Sequence, residues 1–113
     1  MTRLDIIELR TVRKNREAVE AFLWRWQTQV LAERKALLVK IYRQAELETD
    51  FSIHVQYDSK TQDADVCILG ERLASDLKDF GLVNHTVWVE QETGKKTISK
   101  FQEIKKGGKN GRI

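Results

Sequence analysis

The chain has 113 residues, 41% hydrophobic and 33% charged, which suits one globular domain and excludes two domains or a disordered chain. It has no run of 18 apolar residues to span a bilayer, and its one cysteine, Cys67, excludes an intrachain disulfide or a cysteine-based metal site. The net charge of +3 divides into −2 over residues 1–91 and +5 over residues 92–113, so the basicity belongs to a tail and the acidic body disfavours nucleic-acid binding.

The N-terminal segment MTRLDIIELR carries charges every few residues and lacks the apolar core of a signal peptide, so a cytoplasmic location is expected. Residues 4–12, LDIIELRTV, are rich in Leu and β-branched residues and predict a first strand. Asn15 is placed to cap a helix with Glu17 in its first turn. Val19, Phe22, Leu23, Trp26 and Val30 then recur at spacings of 3, 1, 3 and 4, one face of an amphipathic helix ending near Arg34. In ALLVKIYRQAE, Leu37, Val39 and Ile41 alternate with Leu38, Lys40 and Tyr42, which favours a second strand over residues 35–45. A single helix over 15–47 is the alternative, because no Gly, Pro, Asn or Asp interrupts the chain before this stretch.

After the polar turn ELETD, Phe51, Ile53, Val55 and Tyr57 alternate with Ser52, His54, Gln56 and Asp58, the clearest strand in the sequence. Ser59, Thr61 or Asp63 opens a second helix over 61–80, with Val66, Leu69, Leu73, Leu77 and Phe80 on one stripe. Cys67, beside that stripe, is expected to be a small buried hydrophobe. Gly81 is expected to end the helix in the left-handed conformation that glycine adopts freely. The last strand, LVNHTVWVEQ, follows at once. In the tail, Ile98, Phe101 and Ile104 recur among lysines; the favoured reading is a packing helical turn followed by a flexible end, and a basic amphipathic helix on an acidic surface is the alternative.

The order strand, helix, strand, strand, helix, strand predicts an α+β fold over residues 1–91: a ferredoxin-like βαββαβ sandwich with a four-stranded antiparallel sheet covered on one face by both helices. Residues 92–113 form a separate basic tail. Strand alternation places His85 with Val83, Val87 and Val89 on one face of the last strand, and Asn84, Thr86 and Trp88 on the other. The stretch NHTVW is therefore not a compact triad. Asn84, close behind Gly81, has as its alternative reading a residue that simply finishes the helix-to-strand turn. His54 falls on the polar face of its own strand. Trp26 lies on the apolar stripe of the first helix, and Trp24 lies off it.

In size, element order and the passage LKDFGLVNHTVWVEQ (residues 77–91), the chain resembles the dimeric α+β barrel superfamily, in particular the small antibiotic biosynthesis monooxygenase-like proteins. The resemblance implies a homodimer in which two sheets meet face to face, and a ligand pocket between sheet and helices. It further implies binding of an apolar or aromatic small molecule, and in some members oxygenation with no cofactor. On that scheme His85 is the proton acceptor, and Trp88, Asn84, Tyr57 and His54 are pocket-lining candidates, of which only one subset can share a face. A glycine common in these proteins before the second strand is missing, and the second helix holds no histidine, so haem degradation is not carried over. A binding or assembly module without turnover is the rival reading.

Overall fold

The computed structural model describes residues 1–34, 37–61 and 63–91; the tail expected over 92–113 lies outside the described residues. In chain order the elements are β1 (Thr2–Thr11), a 3-10 turn (Arg13–Asn15), α1 (Arg16–Glu33), β2 (Leu38–Arg43), β3 (Asp50–Asp58), α2 (Ala64–Cys67), α3 (Leu69–Leu77) and β4 (Gly81–Val89). The strands form one open antiparallel sheet in the order β2-β3-β1-β4. This mixed α+β arrangement is compatible with a ferredoxin-like sandwich. Residues 38–43 are a strand and α1 stops at Glu33, so the long-helix alternative falls.

The sheet has two unlike faces. Its register aligns Ile41, Ile53, Ile7 and His85 in one row, and Val39, Val55, Asp5 and Val87 in the next. On this face Ile7, Ile53 and Val55 are fully buried, and they share one core with Val19, Leu23 and Val30 of α1 and Leu73 and Leu77 of α3. Both long helices therefore cover the same side. Burial of this apolar face is the main stabilising term, at roughly 25 cal/mol per Å² removed from water. Trp26 packs against the core as its stripe position predicts, and Trp24 is exposed.

The second helical region departs from the sequence reading. In place of one helix over 61–80 there are two, broken at Ile68. Of the three cap candidates, Asp63 caps α2, its carboxylate accepting from the Asp65 backbone N–H. In the single turn of α2, Val66 takes the buried position; the next residue points about 100° away around the helix, and Cys67 is exposed rather than buried.

Gly81 is also not the left-handed terminator expected of it, since no described glycine has positive φ. It is the first residue of β4, where a Cβ would collide with the Arg10 carbonyl and stand 3.0 Å from Thr11 Cα. Glycine is needed there for close approach of backbones, not for backbone hand. Thr11 Oγ1 donates to the Phe80 carbonyl at 2.6 Å and Asn15 Nδ2 donates to the same oxygen at 3.4 Å, fastening the end of β1 to the start of β4. Asn15 does stand at the N-cap of α1, but its side chain makes this long-range bond and no cap bond.

Candidate functional site on the helix side of β1 and β4

Strand alternation divides the five candidate residues between the two faces, and the sheet lies between them. His85 and Tyr57 face the helices; His54, Asn84 and Trp88 face the open side. No single site collects all five.

On the open side the residues make short, local bonds. His54 Nε2 lies 3.1 Å from Ser52 Oγ, and its ring stands 4.9 Å from the Tyr42 ring. Asn84 sits within β4, on the face its strand parity predicts, and donates to Glu8 Oε1 at 3.3 Å. Trp88 Nε1 donates to Thr86 Oγ1 at 3.0 Å while its ring is 58% exposed. Leu82, Tyr42 and Leu38 are exposed on the same face. Across the sheet Leu38, Gln56, Leu4 and Trp88 stand in one row, a largely apolar band that no described helix covers. At the other end of this face a groove of about 410 Å³ runs past Tyr42, Ser52, Leu82 and Asn84.

The helix side holds a different chemistry. Asp5 follows Arg3 and precedes Ile7 and Leu9 on the inward-facing positions of β1, so its carboxylate is buried, 1% exposed, in a row otherwise made of valines. His85 Nε2 lies 3.9 Å from one Asp5 oxygen and Arg3 Nε lies 3.9 Å from the other. Tyr57, paired across the strands with Arg3, completes the group, its ring 5.9 Å below the guanidinium. Arg3 Nε, Asp5 Oδ1, the Tyr57 hydroxyl and His85 Nε2 are all buried, and none has a hydrogen-bond partner among the described residues. Four unmet polar atoms in one cluster is a concentration that buried polar groups ordinarily avoid.

Burial raises the Asp5 pKa above the ordinary carboxylate value; the nearby His85 and Arg3 oppose that rise, and Glu71 on α3 adds to it. Burial also raises the Tyr57 phenol, with the Asp5 charge acting in the same direction. Gly70 makes room for the group, because a Cβ there would sit on the Asp5 carboxylate. The chain thus holds a carboxylate under α3 by placing a glycine in the first turn of that helix.

Sequence reasoning missed Arg3 and Asp5. The signal was present: in RLDIIEL a charged residue occurs in phase with Ile7 and Leu9, where strand alternation calls for apolar side chains. Tyr57 lines two surface grooves, one of about 340 Å³ with Arg34, Lys60 and Val66 and one of about 280 Å³ with Leu38 and Glu90. Among the described residues no group of three or more His, Cys, Asp or Glu is placed to hold a metal ion, and no helix is long and apolar enough to cross a membrane. In comparison with known proteins, the chain matches no family model and no curated sequence.

Proposed function

We propose that the chain works as a homodimer whose two open sheet faces meet, as in a dimeric α+β barrel, and that it binds a small apolar or aromatic molecule on the helix side. The observation that carries the reading is the exposed apolar side chains of a regular sheet face that no described helix covers: Leu38 and Trp88 in one row at one end, Tyr42 and Leu82 toward the other. A small domain with such a patch lowers its free energy by covering it, and a second copy offers a surface of matching shape and chemistry. The open-side candidates Trp88, Asn84 and His54 then belong to the interface, and His85 and Tyr57 to the chemistry.

The reaction favoured by the resemblance to the antibiotic biosynthesis monooxygenases is oxygenation without a cofactor. His85 takes the proton of an ionisable aromatic substrate, and the resulting anion reduces oxygen directly. One oxygen atom remains on the ring as a carbonyl and the other leaves as water. A second reading, binding without turnover, is favoured by one observation: the grooves of about 280–530 Å³ along the described residues are lined by side chains other than His85.

Solution mass is the first test. Light scattering after size exclusion is expected to give a dimer near twice the 13.2 kDa chain mass, and a monomer at micromolar concentration defeats the barrel. Oxygen uptake with an aromatic phenol, lost in His85→Ala, separates the enzyme from the binding module.

A further inference from the structure

We propose that Asp5 is the positioning residue of His85: together they form a buried acid–base pair in which the carboxylate holds the Nε2 proton and leaves the imidazole lone pair on Nδ1. The proposal rests on the reading of His85 as the proton acceptor and supplies what that reading lacks, a group that fixes which ring nitrogen is basic. The two residues stand on adjacent, directly paired strands, with Asp5 opposite Val87 and His85 opposite Ile7. They are diagonal neighbours on one face, a separation that long side chains bridge.

The geometry is directional. Nε2 is buried toward Asp5, so the 21% of the His85 side chain that is exposed lies elsewhere on the ring. A distance of 3.9 Å is too long for a hydrogen bond and too short to admit a bridging water, and a small rotamer change closes it. Arg3, 3.9 Å from the second oxygen, favours the ionised carboxylate against the burial that disfavours it. The other titratable groups facing the pair are Tyr57 from β3 and Glu71 from α3. Gly70 holds the remaining side of the carboxylate, where any other residue would press on it. A carboxylate that orients an imidazole and selects its tautomer is a recurring arrangement for a histidine base.

The experiment is nitrogen-15 NMR of the two imidazoles in the full chain, with His54 as the internal reference. An imidazole N–H open to solvent exchanges too fast to be seen. The expected result is a slowly exchanging Nε2–H resonance from His85, lost in Asp5→Ala and retained in Glu71→Gln. Absence of that resonance in the wild-type chain overturns the proposal, with no variant needed. So does its persistence in Asp5→Ala, because burial alone then protects the proton. Binding of 1-naphthol, followed by tryptophan fluorescence, tests the underlying reading separately. A protected Nε2–H without 1-naphthol binding leaves the pair standing and removes support for the aromatic ligand; naphthol binding without the protected proton removes the pair alone.

Discussion

The two faces of the sheet are built from alternate residues of the same strands, yet they solve different problems. On β3, Ile53 and Val55 are completely buried, while the intervening His54 stays partly open with a polar bond to Ser52. On β4, His85 points toward Asp5 beneath the helices and its neighbour Trp88 points outward, more than half exposed. The helix face is tightly packed and carries its polar groups at a cost; the open face exposes apolar groups at a cost. The proposed function places one role on each anomaly: proton chemistry on the first, association on the second.

The largest effect that tests this contrast is on the packed face. Leu73→Ala, at a fully buried position of α3, is expected to lower the unfolding free energy by about 3 kcal/mol in a urea titration. Gly70→Ala comes next, at about 1–3 kcal/mol, because the new methyl presses on the Asp5 carboxylate. Repeating it in an Asp5→Ala background is expected to recover part of that loss, and strict additivity of the two changes breaks the assigned contact.

The pH dependence follows from the raised Asp5 pKa. A carboxyl with a folded pKa above its unfolded value binds more protons in the folded state between the two. Its contribution therefore favours folding in acid and weakens as pH rises from about 4 through the folded pKa. Asp5→Asn is expected to remove that part of the stability–pH curve and to gain on the wild type as the pH is raised; parallel curves for the two proteins count against a buried, strained carboxylate.

On the open face the stability effects are small. Arg10 Nε and Nη2 both donate to the Asp50 carboxylate, with a shortest contact of 3.1 Å, but Arg10 is largely solvent-exposed. Asp50→Asn is expected to cost about 0.5 kcal/mol, and less at high salt. Trp88→Glu is expected to change the stability of the fold by no more than about 0.5 kcal/mol while converting the solution mass from dimer to monomer. A large loss of folding stability from Trp88→Glu would contradict its assignment to an interface.

Much of the fold was legible because its signals are local. The alternation in FSIHVQYD predicts both the strand and the face of each of its residues, and the parity of NHTVW places His85 and Trp88 on opposite sides. The second helical region was less legible. A stripe from Val66 to Phe80 is satisfied equally by one helix or by two with a break at Ile68, and only packing on the sheet distinguishes them. Cys67 and Gly81 were misread for the same reason: exposure and backbone contact are set by neighbours distant in sequence.

The sequence by itself determined the βαββαβ order of the regions and the face parity of the strands at 51–58 and 82–89, because periodicities of 2 and 3.6 are properties of the backbone. Only the tertiary structure decided which inward residues meet. Asp5 and His85 are 80 positions apart in sequence and come within 3.9 Å because β1 pairs with β4. No hairpin turn joins these first and last strands to fix their register, so it is settled by which faces the whole sheet buries.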